Sequence, residues 1–510
     1  MANPLFDTLL DPHVGSDALF ATLPDGASLT YDGFLSGVFR AAGALQDCGL
    51  TKGDRLALQV EKSINALEIY GACLMTGVIF LPLNTAYTSD EIDYFLQDAK
   101  AGAFICDPTR EAELQPLAKR RNARLLTLSR DGDGSFVDLA RSAKPVEAPT
   151  SCTPDDTAAL LYTSGTTGRS KGAMLAQENL LSNARVLVDQ WRISEQDRLL
   201  HALPIFHAHG LFVAINTTWL AGSSLIFLPS FKVDQVLTAL PKATTMMGVP
   251  TFYTRLLDDD RFTSDLTRSM RLFISGSAPL LAETHDGFDA RTGHRILERY
   301  GMTETGMNTS NPYGAERRAG TVGFPLPGVE IRITNPETEE DVPEGEIGMI
   351  EVRGPNVFKG YWKMPEKTRE ELRDNGFFIT GDLGRRDADG YVHIVGRSKD
   401  LIISGGYNVY PKEVEQVIDD VAWVRESAVI GVPHPDFGEG VVAIVVAETA
   451  TSASMTALKA ATGEKLAKFK QPKEIIFVDE LPRNTMGKVQ KNVLRSLYQD
   501  LFMPQAASAG

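Results

Sequence analysis

Residues 162–172 read Tyr-Thr-Ser-Gly-Thr-Thr-Gly-Arg-Ser-Lys-Gly, and this stretch decides how the rest of the chain is interpreted. Its hydroxyl groups can donate hydrogen bonds to phosphate oxygens, and its glycines let backbone amides converge on an anion. Lys171 adds a movable positive charge. The stretch therefore predicts a loop that binds a polyphosphate. The predicted phosphate ligands are Thr163, Ser164, Gly165, Thr166, Thr167, Gly168 and Lys171.

Apolar segments flank this loop on both sides. Residues 158–162 and 173–176 are each typical of a strand. The spacing differs from that of the Walker loop, in which Gly-Lys-Ser/Thr enters a helix. Here Ser170 precedes the lysine and Gly172 follows it. Clusters of Ser, Thr and Gly also mark ordinary solvated loops, so the loop alone leaves both interpretations open.

Eight further motifs follow in the chain, and they favour the phosphate-binding interpretation. They occupy residues 204–210, 275–279, 298–305, 360–362, 380–382, 396–400, 405–411 and 481–488. Each motif is weak evidence alone. Together with the loop they resemble, in type and order and over nearly the whole chain, the acyl-adenylate-forming superfamily. This superfamily includes acyl-CoA synthetases, firefly luciferases and the adenylation domains of peptide synthetases.

The fold class expected from the sequence is α/β. Helical and strand patterns alternate through the first three quarters of the chain, which predicts stacked α/β layers with largely parallel sheets. Short strands from residue 328 to 353 indicate a β-rich subdomain, and the last hundred or so residues indicate a small α/β domain. We expect an adenylate-forming domain over residues 1–397, a hinge at 398–399 and a mobile C-terminal lid domain over 400–510. The resemblance places the hinge at Lys399.

Composition excludes several classes of protein. A chain of 510 residues is too long for one hydrophobic core. Its net charge of −15 argues against nucleic-acid binding and means that local cations must attract anionic substrates. Four scattered cysteines without metal-ligand spacing suggest a reducing, cytoplasmic location. No segment predicts a signal peptide or a membrane span.

The resemblance implies a two-step reaction. A carboxylate attacks the α-phosphorus of ATP to give an acyl-adenylate and pyrophosphate, and the thiol of CoA then displaces AMP. In this scheme Lys488 bridges the carboxylate and the α-phosphate, and Lys171 contacts phosphate. An ordinary surface lysine is the competing interpretation of Lys488.

The same resemblance assigns the nucleotide and metal contacts. Glu304 and the Thr163 hydroxyl are expected to hold Mg²⁺, a hard cation that prefers oxygen ligands. Glu304 has an alternative role as a helix-capping acid. Asp382 and Arg397 are expected to bind the ribose hydroxyls. The residues expected to line the adenine slot are Gly276, Ser277, Ala278, Glu298, Arg299, Tyr300, Gly301, Met302 and Thr303.

A second conformation is implied for thioester formation. Gly405, Gly406 and Tyr407 resemble the segment that lines the tunnel for the pantetheine arm of CoA. A simple glycine turn before the helix that begins near Pro411 explains these residues nearly as well. Rotation about Lys399 would present Lys488 in the first step and this segment in the second.

Residues for the acid substrate are less well defined. His207 is a gate or carboxylate contact in the family, although a lone histidine beside Phe206 is more often a core residue. Arg255 and Ser277 are expected to bind the distal carboxylate of a short dicarboxylic acid, because a guanidinium matches a carboxylate bidentately. Pairing of Arg255 with Asp258 or Asp259 on an exposed helix face is the alternative.

Two of the motifs, those at residues 204–210 and 298–305, together with residues 248–255, resemble bacterial malonyl-CoA synthetases, so we expect malonate as substrate and methylmalonate as a weaker one. The alternatives are another short-chain, medium-chain or aryl acyl-CoA ligase, a carrier-protein-loading enzyme, and an inactive nucleotide-binding regulator. A lysine acetyltransferase and deacetylase acting on Lys488 are expected protein partners, because acetylation would remove its charge.

Overall fold

The chain divides into two units in the computed structural model, which describes residues 3–163, 170–405, 407–447, 451–484 and 487–502. The first unit comprises Met1–Ala319, Gly323–Ile331 and Val352–Phe378. The second comprises Gly320–Val322, Arg332–Glu351 and Ile379–Gly510. The domain boundaries expected at residues 397 and 399 stay a prediction.

One sheet of the first unit has six strands. In spatial order they are Arg124–Thr127, Ala103–Cys106, Arg55–Gln59, Ile79–Pro82, Thr157–Thr163 and Lys171–Ala176. The first five run parallel, and the last two form an antiparallel pair. Buried side chains such as Leu81, Phe95 and Phe104 pack against each other beside this sheet. The α/β fold with largely parallel sheets is therefore confirmed here.

The other sheet of the first unit has nine strands. In spatial order they are Phe324–Pro325, Gly306–Ser310, Leu297–Met302, Leu272–Ser275, Thr245–Gly248, Arg198–His201, Ser224–Phe227, Leu19–Thr22 and Ser28–Thr30. The six strands from Leu297–Met302 to Leu19–Thr22 are parallel, and the outer pairs are antiparallel. Met246, Tyr253, Phe273 and Phe288 contribute to its buried core.

Capping residues set the ends of several helices in the first unit. Ser63 caps the helix Ile64–Thr76, and Gly77 ends it at φ 71° in the left-handed region. The helix Tyr31–Asp47 begins after Thr30, because the Thr30 hydroxyl accepts a hydrogen bond from the Gly33 amide. The α-helices described in this unit are Pro4–Leu9, Tyr31–Asp47, Ile64–Thr76, Ser89–Ala99, Glu111–Arg120, Ser135–Ser142, Gln177–Gln190, Ala214–Ala221, Val233–Ala239, Pro250–Leu257, Ala282–Thr292 and Pro365–Glu371.

Two smaller sheets lie in the second unit, apart from residues 330–331, 352–353 and 378 of the four-stranded one, which belong to the first unit. Glu330–Thr334, Gly348–Arg353, Phe378–Arg386 and Val392–Arg397 form the four-stranded sheet, as the β-rich pattern predicted. The five-stranded sheet orders Tyr407–Val409, Ile402–Ser404, Gly438–Ala447 and Val424–His434, with Glu474–Val478 parallel to Gly438–Ala447. The helices Pro411–Asp419, Ser452–Lys465 and Lys491–Tyr498 accompany it.

The nine-stranded sheet brings distant motifs to one edge. Arg198–His201, Thr245–Gly248 and Leu272–Ser275 are parallel neighbours, so the segments that follow them leave the sheet on the same side. These segments carry His207, Arg255 and Ser277. Such an edge is where open α/β sheets bind ligands. Over the described residues, no helix combines the length and apolarity that a membrane crossing needs.

Candidate active site

A β-hairpin carries the predicted phosphate loop. Thr163 ends the strand Thr157–Thr163 and pairs with Lys171, the first residue of the strand Lys171–Ala176. The Tyr94 hydroxyl donates to the Ser170 carbonyl at 2.8 Å and so fixes one end of the loop. The predicted ligands Ser164, Gly165, Thr166, Thr167 and Gly168 lie outside the described residues.

Two carboxylates and a phenol lie beside this hairpin. Thr163 Oγ1 donates to Glu304 Oε1 at 3.3 Å. The Tyr361 hydroxyl lies 2.6 Å from Glu371 Oε2 and 3.2 Å from Glu304 Oε1. Tyr361 reaches this position because residues 360–362 hydrogen-bond to the strand that begins at Lys171. Thr163 and the buried Glu304 thus offer the oxygen ligands that Mg²⁺ prefers, so these residues fit the expected ion.

Lys171 is held by an acid in this structure. Its Nζ lies 3.0 and 3.2 Å from the two carboxylate oxygens of Glu371 and 4.1 Å from the centre of the Tyr361 ring. Burial alone would raise the pKa of Glu371, but hydrogen bonds from Tyr361, Lys367 and Lys171 outweigh it and hold that pKa below its usual range. Glu371 is therefore a carboxylate that a phosphate group would have to replace at Lys171.

The predicted ribose contacts form an ion pair in the second unit. Arg397 Nε lies 2.7 Å from Asp382 Oδ1, because the two residues are opposite each other in neighbouring antiparallel strands. Asp382 is buried and Arg397 is half-buried.

Lys488 lies in the electrostatic field of this pair. Its amide donates to Asn484 Oδ1 at 2.9 Å, and Gly487 precedes it at φ 72°. Burial lowers the pKa of Lys488 first, and the Arg397 guanidinium lowers it further, whereas Asp382 acts in the opposite direction. Sequence analysis assigned Lys488 and the Asp382–Arg397 pair to one nucleotide site, and the structure brings these side chains into one electrostatic neighbourhood.

The residues expected to bind the acid substrate differ in burial and in their hydrogen-bond partners. Ser277 has φ 71°, which is unusual for a residue other than glycine, and its Oγ lies 3.3 Å from His209 Nδ1. Half-buried His207 accepts at Nδ1 from the His209 amide at 3.3 Å. Arg255 is exposed on the helix Pro250–Leu257.

Neither of the acids expected as alternative partners, Asp258 and Asp259, pairs with Arg255 among the described residues. Asp259 pairs with Arg261 at 2.6 Å. Within the part of the chain that the structure describes, Arg255 forms no ion pair with Asp258 or Asp259 and no hydrogen bond to Ser277. Its guanidinium therefore remains open to a carboxylate from solution.

The remaining predicted residues are buried to different degrees. Gly276, Glu298, Arg299 and Tyr300 are buried, whereas Ala278, Gly301, Met302 and Thr303 are half-buried. Lys399 is exposed in a short 3-10 turn over Ser398–Asp400. Gly405 has φ 60°, the exposed Tyr407 stacks on Phe469 at 4.7 Å, and Gly406 lies outside the described residues.

Sequence analysis missed two residues at the hairpin and one at the acyl end. Tyr361 lies in a recognised motif without an assigned role, and Glu371 carries no local signal because it meets Lys171 across 200 positions. His209 lies in the motif of His207, and its contact with Ser277 depends on the neighbouring strands. Arg299 lies in a strand whose neighbouring residues are buried. Arginine is rarely buried without a partner, so its position in this strand indicates an unusual environment.

Known proteins resemble this chain over almost its whole length. The family described as AMP-binding enzyme matches residues 11–362, and its C-terminal domain matches residues 413–488. ATP-bound MatB from Rhodopseudomonas palustris is 54% identical with a TM-score of 0.95, covering 98% of this chain and 100% of that one. A mitochondrial malonate–CoA ligase, ACSF3, of Mus musculus is 35% identical over 89% of this chain and 84% of its own. A feruloyl-CoA synthase of Amycolatopsis is 36% identical over 92% and 94%.

The Glu371 carboxylate should weaken nucleotide binding. In Glu371→Gln, Lys171 loses its competing anion, while the amide oxygen can still accept from Tyr361. We expect the Kd for ATP, measured by isothermal titration calorimetry without acid substrate, to fall roughly five-fold, equivalent to about 1 kcal/mol. Glu370→Gln is the matched control, since exposed Glu370 pairs with Lys367 instead. Unchanged or weaker ATP binding in Glu371→Gln would show that Glu371 does not compete for Lys171.

Proposed function

Since the chain belongs to the AMP-binding enzyme family, we propose that it joins malonate to CoA in an ATP-dependent reaction that passes through a malonyl-adenylate. The products are malonyl-CoA, AMP and pyrophosphate, and methylmalonate is a weaker substrate. The observation that carries this proposal is the similarity to a malonate–CoA ligase over 89% of the chain.

In the first step a malonate oxygen attacks the α-phosphorus of ATP. A C–O–P linkage forms, the bond to the β-phosphate oxygen breaks, and pyrophosphate leaves with the electron pair. The chain must hold two anions together and offset the charge that grows on the α-phosphoryl group. Lys488 supplies a cation for this charge, Lys171 contacts the outer phosphates, and the Asp382–Arg397 pair binds the ribose.

A magnesium ion would be held by Glu304 and the Thr163 hydroxyl, with the remaining ligands from phosphate and water. Such an ion neutralises phosphate charge when bound. Thr163 Oγ1 and Glu304 Oε1 already lie 3.3 Å apart, so both oxygens face one small region.

In the second step the sulfur of CoA attacks the acyl carbon and AMP leaves. We propose that a C-terminal domain over residues 400–510 turns about Lys399, away from the domain over 1–397, to allow this step. Gly405, Gly406 and Tyr407 then line the path of the pantetheine arm. The exposure of Lys399 and Tyr407 supports this, because neither residue is tied into a core.

For the acid, we assign the distal carboxylate to Arg255 and Ser277 and the reacting end to His207. Exposed Arg255 is unpaired among the described residues and is therefore available to an incoming anion. A cytoplasmic location fits the thiols Cys48, Cys73, Cys106 and Cys152, which are all free.

An aryl acyl-CoA ligase is the second candidate, because a feruloyl-CoA synthase is as similar in sequence as the malonate–CoA ligases. Transfer of the acyl group to a carrier protein instead of CoA is a further variant of the same chemistry. Both alternatives share the first half-reaction, so only the identity of the acid and of the thiol distinguishes them.

A substrate panel tests the proposed function. Pyrophosphate release is measured with malonate, propionate, butyrate and 4-coumarate, and the soluble thioester is measured with free CoA. We expect kcat/KM for malonate to exceed that for propionate at least about 100-fold, because a paired second carboxylate adds about 3 kcal/mol. Preference for any monoacid would refute the malonate assignment, and adenylate formation without soluble malonyl-CoA would favour a carrier protein.

The role of Lys488 predicts a split between the half-reactions. Lys488→Ala should lower the rate of adenylate formation at least about 100-fold, as expected when a charge-stabilising group is removed. Conversion of supplied acyl-adenylate to thioester should fall far less, since that step occurs with Lys488 turned away. Lys468→Ala, which removes an exposed lysine of the same unit, is the control. Equal loss of both half-reactions would contradict the split.

We further propose that a lysine acetyltransferase and a deacetylase act on Lys488. Its lowered pKa increases the fraction of neutral amine, which is the form that attacks an acetyl thioester. Attack forms the amide, releases the thiol and removes the charge needed for adenylation. Mass spectrometry of the protein from acetylating cells should find Lys488 acetylated and adenylation reduced in proportion. An unmodified Lys488 in a sample whose exposed Lys468 is acetylated would argue against this.

A further inference from the structure

Arg299 is a buried cation whose guanidinium lacks an acid. It lies in the strand Leu297–Met302, and its side chain is almost fully removed from solvent, with 4% exposed. Its Nε and Nη2 atoms are buried and have no hydrogen-bond partner among the described residues. Removing a charge from water without a partner is costly, so folded chains rarely tolerate it. An unpaired guanidinium in this position indicates a missing anion.

The sequence around Gly276 makes room for this side chain. A Cβ atom on Gly276 would lie 2.3 Å from Arg299 Cζ, so only glycine permits the guanidinium to lie there. Gly276 directly follows the strand Leu272–Ser275, whose Ser275 pairs with Glu298. Because neighbouring strand residues point to opposite faces, the Glu298 carboxylate faces away from the guanidinium. The adjacent acid is thus excluded as the partner.

A second unpaired group accompanies Arg299. His209 Nδ1 lies 3.3 Å from Ser277 Oγ, while His209 Nε2 is buried and without a partner in the described part of the chain. Ser275 Oγ is also buried and unpaired within those residues, but Ser275 pairs with Glu298 and lies on the opposite face of the sheet from Arg299. Burial holds the pKa of His209 well below its usual range, and the charge of Arg299 lowers it further. His209 is therefore neutral and can donate from Nε2 when Nδ1 accepts from Ser277.

The charge of Arg299 persists under working conditions. Burial lowers the pKa of Arg299 to about 10. A guanidinium with this pKa is still protonated near neutral pH. A buried cation and a neutral imidazole thus lie beside residues 276–277, and both can donate hydrogen bonds. This set of donors matches the oxygen lone pairs of a carboxylate.

We propose that Arg299, with His209, binds the second carboxylate of the acid substrate and is a specificity-determining residue. This inference rests on the proposed function and adds an internal guanidinium to the exposed Arg255. Arg255 meets the acid at the surface, whereas Arg299 binds it after water is removed. A monocarboxylic acid would leave Arg299 unpaired, which is how a site that donates hydrogen bonds rejects a ligand lacking the acceptor.

ATP is the other anion that Arg299 could bind. The sequence analysis placed Arg299 in the adenine slot, where it would contact ATP. Thr163, Lys171 and Glu304, the residues expected at the phosphates and the metal ion, form no hydrogen bond or ion pair with Arg299, His209 or Ser277 among the described residues. The unpaired guanidinium and imidazole instead lie beside Gly276 and Ser277, so the observations favour the acid substrate.

Arg299→Met tests the proposal, because methionine fills similar apolar volume and removes the unpaired buried charge. The kcat/KM values of full-length protein are measured with malonate and with propionate, and the Kd for ATP is measured by calorimetry. We expect the malonate-to-propionate ratio to fall at least about 30-fold, mainly through KM for malonate. Arg255→Met, measured in parallel, should lower the ratio less, because an exposed charge pair is weaker.

Several results would overturn the inference. One is an unchanged ratio of kcat/KM for malonate to kcat/KM for propionate. Another is an equal fall of kcat/KM with both acids. A third is a rise of the Kd for ATP as large as the fall of kcat/KM for malonate. If Arg299→Met does not fold, Arg299→Lys replaces it, keeping the charge but losing the bidentate geometry. We expect Arg299→Lys to raise KM for malonate about ten-fold with little change in kcat. A wild-type enzyme that prefers monoacids refutes the proposed function, whereas malonate preference retained without Arg299 refutes only this inference.

Discussion

Two buried cations of the first unit, Lys171 and Arg299, each need a negative partner, and this requirement governs what can bind beside them. The chain has a net charge of −15, so it repels anions except where a cation is placed for them. Lys171 pairs with Glu371, and Lys488 lies in the field of Asp382 and Arg397. Arg299 has no such partner among the described residues. We propose that Lys171 exchanges Glu371 for phosphate, whereas Arg299 meets its anion only when the acid binds.

The fold provides this arrangement through the ends of parallel strands. Because Arg198–His201, Thr245–Gly248 and Leu272–Ser275 are parallel neighbours, the segments after them share one edge of the sheet. In the six-stranded sheet, an antiparallel hairpin places Thr163 opposite Lys171. Short-range geometry therefore determines which residues of each motif can act together, and the glycine at position 276 leaves space for a guanidinium that any other residue would exclude.

Much of the fold and of the candidate site could be predicted from the sequence. The features that were missed depend on residues that are far apart in the chain. The apolar pattern predicted the strand before the loop, because a strand pattern depends on neighbouring residues. Family motifs predicted the family and the α/β fold. The pairing of Lys171 with Glu371 was missed because the two residues are 200 positions apart. The sequence also did not predict that Arg299 lacks a hydrogen-bond partner, because this depends on which side chains the neighbouring strands place beside it.

A crystal structure with malonate and a non-hydrolysable ATP analogue tests the central claim most directly. The account predicts a carboxylate oxygen about 2.8 Å from Nε or Nη2 of Arg299, the usual length for a charge-assisted hydrogen bond. A second oxygen of that carboxylate should accept from His209 Nε2. A malonate whose distal carboxylate contacts only Arg255, with the Arg299 guanidinium still unpaired, would contradict it.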